Sequence, residues 1–154
     1  MNEGQEYSIV VEHRLCMAHR LMGHPGKCNN LHGHNYRVRI RICRSSDCMD
    51  ESGMVVDFGD MKKEVLKFLD DNFDHTTILE KGDPLIPAIL QSGIHCPIER
   101  TSVIPVPFRP TAENIAKCFY DLIKKQLPLY DTTGIWLDSV SIEETPGNWA
   151  CYME

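Results

Sequence analysis

Between Tyr36 and Cys43 the chain alternates with a period of two. Tyr36, Val38, Ile40 and Ile42 fall on one side, and Arg37, Arg39, Arg41 and Cys43 on the other. Successive strand side chains point to opposite faces, so this pattern predicts a half-buried antiparallel strand. Tyr7 to His19 also reads as extended, with Tyr7, Ile9 and Val11 alternating with Ser8 and Glu12. A loop rich in Gly, Pro and Asn, from Met22 to Asn30, separates the two, and Asp47 to Gly53 reads as a turn. Asp57 is a suitable N-cap for a helix running to about Asn72, with Phe58, Met61, Val65, Phe68 and Leu69 as its apolar stripe. A second helix is predicted to start near Thr111 after Pro110. Ile115, Cys118, Phe119, Leu122 and Ile123 share one of its faces, and Pro128 stops it.

Between these helices Glu80 to Arg109 reads as an irregular excursion, with a short helix opened by Asp83-Pro84 and closed by Gly93. The chain ends in a predicted hairpin, Ile135 to Glu144 and Trp149 to Tyr152, turned by Thr145-Pro146-Gly147-Asn148. Strand, strand, helices, strand, strand is the order of an α+β domain with helices on one face of an antiparallel sheet. With 154 residues and neither a repeat nor a low-complexity linker, one domain over residues 1–154 is expected.

Composition narrows the partners. The net charge is −6 and no dense basic block occurs, so a nucleic-acid backbone is not an expected ligand. No apolar run approaches the ~20 residues that span a bilayer, and the acidic, polar stretch Met1 to Glu6 is unlike a secretory leader. A cytosolic chain, away from membranes, is the expectation. The seven cysteines, Cys16, Cys28, Cys43, Cys48, Cys96, Cys118 and Cys151, include no Cys-x-x-Cys pair. An odd count at irregular spacing argues against a disulfide framework or a zinc ribbon, and predicts free thiols packed as small apolar groups.

The candidate chemistry lies in the histidines. Four of the seven, His19, His24, His32 and His34, fall within one short stretch. His32-Gly33-His34 enters the Tyr36 strand, so both imidazoles share its apolar face. Imidazoles crowded there are costly as cations, whereas neutral imidazole is a common zinc ligand. His19, ending the preceding strand, offers a third nitrogen, and Gly33 permits a close approach. His24, in the turn Gly23-His24-Pro25-Gly26, reads as solvent-exposed. Three histidines leave zinc an open position, as catalytic sites do. Cys28 either closes the site as a fourth ligand or stands beside it as a thiolate favoured by the cation. Period two also separates Glu144, on the apolar face of its strand with Val140 and Ile142, from Glu143 on the other. A buried-face carboxylate requires donors, which either an Arg or Lys at the rim or a planar heterocycle with adjacent N–H groups supplies. Arg37, Arg39 and Arg41 form a basic row on the non-core face, expected to be solvated, paired with acids, or turned into the bore of an assembled barrel.

Ala18-His19-Arg20-Leu21 and Cys28-Asn29-Asn30-Leu31-His32-Gly33-His34-Asn35-Tyr36 resemble the 6-pyruvoyltetrahydropterin synthase superfamily, and within it the 6-carboxytetrahydropterin synthase branch of the queuosine pathway. Val56-Asp57-Phe58, Asp74-His75, Pro110-Thr111-Ala112-Glu113-Asn114 and Glu144-Thr145 continue the match. Three residues between Cys28 and His32 fit the carboxy branch, while the long Glu80 to Arg109 segment departs from its shortest members. The resemblance implies zinc on His19, His32 and His34, Cys28 as proton-abstracting base and Asp74 with His75 as an acid/base pair. It implies Glu144 as pterin anchor, with Thr111 and Glu113 near the pterin. It further implies a four-stranded antiparallel sheet with helices on one face (the tunnelling fold). Subunits would close into a barrel, as a homohexamer of two stacked trimers with active sites at subunit interfaces. The implied reaction is zinc-dependent conversion of 7,8-dihydroneopterin triphosphate to 6-carboxytetrahydropterin, with loss of triphosphate and acetaldehyde. A pyruvoyl-forming synthase or related pterin side-chain lyase is the nearest alternative, and a non-catalytic zinc-stabilised binding module a more distant one.

Overall fold

The computed structural model describes residues 5–92, 102–127 and 134–154. Gly93, Cys96 and Pro128, which the sequence assigns to a helix end, a thiol and a helix stop, lie outside the described residues.

The two alternating segments form long strands, β1 (Glu6–His19) and β2 (His32–Ser45). They pair antiparallel without interruption from Glu6 opposite Ser45 to His19 opposite His32. The terminal hairpin forms β5 (Ile135–Thr145) and β6 (Asn148–Met153), with Gly147 at φ 85° in the left-handed conformation that Pro-Gly turns use. β5 pairs antiparallel with β2. Two short strands, β3 (Thr76–Glu80) and β4 (Val103–Val106), add in parallel outside β1. The sheet is therefore six-stranded and mixed, in the order β4-β3-β1-β2-β5-β6. The expected four-stranded antiparallel sheet is present as the β1-β2-β5-β6 part, and the edge pair corrects the strand number. Both added strands have five residues or fewer, too short to show an alternation.

The first helical stretch, α1, runs through Phe58–Asp60, Met61–Leu66 and Lys67–Phe73. Asp57 caps it as expected, its carboxylate accepting from the Gly59 N–H at 2.6 Å. In its middle the Lys67 N–H bonds to the Lys62 carbonyl five residues back, a π-helical widening. Met61, Val65, Leu69 and Phe73 are all buried. A four-residue spacing repeated three times would drift about 120° around an ideal α-helix, and the wider turn absorbs that drift. Phe58 is 55% exposed and leaves the predicted stripe, while Leu66 joins the core. Asp83 precedes the short helix α2 (Leu85–Gln91) and accepts from the Leu85 N–H. Helix α3 (Ala112–Gln126) buries Ile115, Ala116, Phe119, Tyr120 and Ile123 against the sheet. Its Tyr120 hydroxyl donates to the Leu137 carbonyl at 3.0 Å, which ties the helix to β5.

The core lies between α1, α3 and the sheet face carrying Leu15, Tyr36, Val38, Ile40, Val140 and Ile142. Gly134, at φ 69°, has no alternative: a Cβ there would fall 2.5 Å from the Cys48 sulfur. Among the described residues six cysteines are free thiols. Cys43 alone is fully buried, and Cys16, Cys48 and Cys151 are exposed, so packing as small apolar groups describes only part of the set. None of the described helices is long and apolar enough to cross a membrane.

One ion pair joins the end of β1 to the edge strands. Arg20 grips Asp83 with two hydrogen bonds of 2.6 Å, and Asp83 is 1% exposed. Hydrogen bonding from Arg20 holds the Asp83 carboxyl below the usual range, and Asp83 raises the Arg20 guanidinium in return. Replacing Asp83 by Ala leaves the Arg20 guanidinium without its partner and is expected to cost about 1–3 kcal/mol, read as a lower urea midpoint. Because the folded carboxyl is depressed, its stabilising effect is present above the ordinary carboxylate pKa. That effect is lost as pH falls through the folded value. Stability of the Asp83→Ala variant should accordingly fall less between neutral and acid pH than that of the parent.

Candidate metal centre and adjoining clefts

The β1–β2 ladder ends by setting His19 opposite His32, and His34 follows on the same face of β2. The ring centroids lie 4.6 Å apart for His19 and His32, 5.2 Å for His19 and His34, and 5.0 Å for His32 and His34. One ligand atom from each lies within 4.8 Å of the other two. Gly33 sits opposite Ala18, where a Cβ would come 3.2 Å from the Met17 carbonyl oxygen, so glycine keeps the ladder tight between the two imidazoles.

The imidazole tautomers follow from their partners. His19 Nδ1 lies 2.7 Å from the Pro110 carbonyl oxygen, and His32 Nδ1 lies 2.7 Å from that of Asn30. A carbonyl only accepts, so each Nδ1 carries the hydrogen, and in the neutral ring Nε2 is the nitrogen with the lone pair. His19 Nε2 and His34 Nε2 are both buried with no hydrogen-bond partner. Burial holds the pKa of His19 and His34 below the ordinary histidine value, and the neighbouring imidazoles add their own opposition to a further positive charge. The two rings are thus set in the neutral, ligating form. Three imidazoles with ligand atoms within 4.8 Å of one another, two of the rings oriented by backbone carbonyls, fit a divalent transition metal.

His19 also lines a cleft of about 530 Å³ with Cys28, Thr111, Glu113 and Glu144. Cys28 comes from a single helical turn, Lys27–Asn29, whose position is set by the Leu21 N–H bonding to the Cys28 carbonyl at 2.7 Å. The Cys28 sulfur is not part of the mutual 4.8 Å set. Cys28 is a free thiol lining the same cleft as His19. Thr111 is the N-cap of α3, and Asn114 one turn on donates to the Arg109 carbonyl at 2.9 Å, holding this corner against the trio. Glu144 turns inward, one oxygen 3.3 Å from His19 Nε2. Glu143 turns outward to Arg37 at 3.4 Å, as the period of two requires.

Asp74 and His75 lie elsewhere. His75 lines a second cleft of about 390 Å³ with Cys16, Gly33, His34 and Thr77. Asp74 Oδ2 lies 2.5 Å from His75 Nδ1, and Asp74 Oδ1 accepts from the Cys16 N–H at 2.8 Å. His75 adopts φ 57°, a strained conformation for a side chain with a Cβ, held by its N–H bonding to the Cys16 carbonyl. The imidazole is 78% exposed. Within one chain His75 and Cys28 thus open on different clefts, and the trio stands between, His19 toward one and His34 toward the other.

His24 is outside the trio, and its ring accepts from the Gly26 N–H to hold the turn. The arginine row is paired with acids: Arg39 with Glu12 at 2.5 Å, and Arg41 with Glu6 and Asp138 at 3.8 Å. The Trp149 ring packs under Arg39 at 4.1 Å. Reading by residue type missed the carbonyls of Pro110 and Asn30, since every residue carries one. It also missed Tyr36, which looks like any core aromatic.

Fold and site together define a class: an α+β protein with a cluster of three histidines that could hold a metal at the end of a β-ladder, beside a cleft carrying a thiol and carboxylates. The chain belongs to the 6-pyruvoyl tetrahydropterin synthase family, whose family model matches residues 8–154. It is 36% identical to a protein of Rickettsia bellii named 6-carboxy-5,6,7,8-tetrahydropterin synthase, over 88% of this chain and 90% of the relative. To the Haemophilus influenzae protein of the same name it is 34% identical, over 96% of this chain and 99% of the relative. Among solved structures it is similar to the 6-pyruvoyl tetrahydropterin synthase of Caenorhabditis elegans, with TM-score 0.66 and 26% identity, over 100% of this chain and 99% of that one.

Titrated with Co²⁺, the metal-free chain is expected to take up one equivalent, and His32→Ala or His34→Ala to abolish that uptake. A sulfur-to-cobalt charge-transfer band in the near ultraviolet would instead make Cys28 a ligand.

Proposed function

We propose that the chain is a zinc-dependent 6-carboxy-5,6,7,8-tetrahydropterin synthase. It would convert 7,8-dihydroneopterin triphosphate to 6-carboxytetrahydropterin, a step of the queuosine pathway, with release of triphosphate and acetaldehyde in the cytosol. The observation that carries this reading is the cluster of three imidazoles, whose His19 opens on the cleft that Cys28 and Glu144 also line. The names of the relatives, given above, support the choice of reaction.

Zinc held by His19, His32 and His34 would supply Lewis acidity toward side-chain oxygens of the substrate. The chain's own groups do the rest. Glu144, at the end of the apolar face of β5, accepts from the ring N–H and exocyclic amine of the pterin and sets the side chain toward the trio. Thr111 and Glu113 line the same cleft and bound the ring. Cys28, as thiolate, removes a carbon-bound proton made acidic by the conjugated ring. Asp74 orients His75, whose exposed imidazole returns protons to the reacting side chain.

The last role requires a second copy of the chain, because His75 and Cys28 open on separate clefts of one subunit. A homohexamer of two stacked trimers, its sheets joined through the outer strands β4 and β6, would bring the two together at each interface.

Incubation of the zinc-loaded protein with dihydroneopterin triphosphate tests the reading by mass. Triphosphate with acetaldehyde is the expected outcome, while triphosphate without acetaldehyde identifies the pyruvoyl-forming reaction. No turnover, together with unfolding on chelation, identifies a zinc-stabilised binding module. Cys28→Ala is expected to lower kcat by about 10²–10⁴-fold, the usual contribution of a positioned base, while zinc content stays unchanged.

A further inference from the structure

Tyr36 is fully buried, and its hydroxyl has no hydrogen-bond partner. A buried phenol usually finds one, and leaving a donor unsatisfied costs about 1–3 kcal/mol. Nothing in packing demands the hydroxyl, since phenylalanine offers the same ring. The ring meets those of His34 and His19 edge-on, at centroid distances of 5.4 Å and 5.8 Å. The other buried side-chain atoms without partners, among the described residues, are His19 Nε2 and His34 Nε2. Three orphaned polar atoms thus belong to three side chains in mutual contact, and two of them are the proposed metal-ligating nitrogens. A phenol, with its ordinary pKa of about 10, is a protonated donor near neutral pH.

We infer that Tyr36 is a positioning residue of the metal centre, its hydroxyl donating to the oxygen that occupies the open position beside the three imidazoles. That oxygen belongs to water in the resting protein and to a substrate hydroxyl during turnover. The inference rests on the reading of the trio as a metal centre. A neutral donor stabilises the deprotonated form of such an oxygen more than the protonated form, so Tyr36 lowers the pH at which bound water ionises. It leaves the ligand set itself unchanged.

The test compares the full-length chain with Tyr36→Phe, each metal-free and loaded with Co²⁺. Four results are expected. The variant binds one equivalent of Co²⁺. In metal-free form it is at least as resistant to urea as the parent, because an unsatisfied hydroxyl has been removed. The visible cobalt spectrum changes with pH at a transition about one unit higher than in the parent, the equivalent of one ordinary hydrogen bond. With zinc, kcat falls about tenfold and KM holds. A metal-free variant less stable than the parent would show that the hydroxyl already has a structural partner, and would overturn the inference. So would an unmoved spectral transition, which leaves the metal centre itself standing. If the parent binds no cobalt, the metal reading fails and the role of Tyr36 fails with it, an outcome distinct from the other two.

Discussion

The pairing of β1 with β2 is the constraint on which the rest of the molecule depends. Fourteen residue pairs run without a slip from Glu6 opposite Ser45 to His19 opposite His32. A shift of one residue would turn His32, His34 and Tyr36 to the outer face and drive Arg37 and Arg39 into the core. Val38, Ile40 and Ile42, all fully buried, oppose that shift, each side chain contributing roughly 1.5–3 kcal/mol by burial. The apolar residues at one end of the ladder thereby hold the imidazoles in place at the other. The histidine cluster needs no dedicated scaffold, because it is the continuation of the core face to the end of the ladder.

The two faces of this ladder treat charge in opposite ways. On the outer face Arg37, Arg39 and Arg41 meet Glu6, Glu12, Asp138 and Glu143 across strands, where water screens each pair and little net energy is at stake. On the inner face the imidazoles of His19 and His34 are kept neutral by burial, and their lone pairs point inward. Glu143 and Glu144, adjacent in sequence, divide along the same line, one in the outer ladder and the other beside His19. Helix α3 supplies the third side of the site through its entry rather than its body: the Pro110 carbonyl orients His19, and Thr111 caps the helix where the cleft begins.

Much of this was legible in the residues taken alone. The alternation of Tyr36 to Cys43 predicted both the strand and its buried face, and the spacing of His32 and His34 placed two imidazoles together on that face. Asp57 as a cap, the Pro-Gly turn of the last hairpin and the separation of Glu144 from Glu143 follow from rules that act over a few residues. Such rules reach only as far as neighbouring backbone atoms. They could not show β3 and β4, whose few residues carry no periodicity. Nor could they show that Phe58 faces solvent.

The linear order of side chains by itself determined which residues of one strand share a face, and hence that His32, His34 and Tyr36 lie together on the apolar face of β2 and Glu144 on that of β5. Tertiary structure alone decided what those groups meet. The Pro110 carbonyl reaches His19 across 91 residues of chain, and that contact sets the tautomer that turns a lone pair inward. Parallel addition of β3 beside β1 carried Asp74 and His75 to the far side of the trio from Cys28, although nothing in their spacing implies it. Periodicity orders side chains about a local axis, whereas hydrogen bonds and clefts arise where distant axes cross, and only packing sets those crossings.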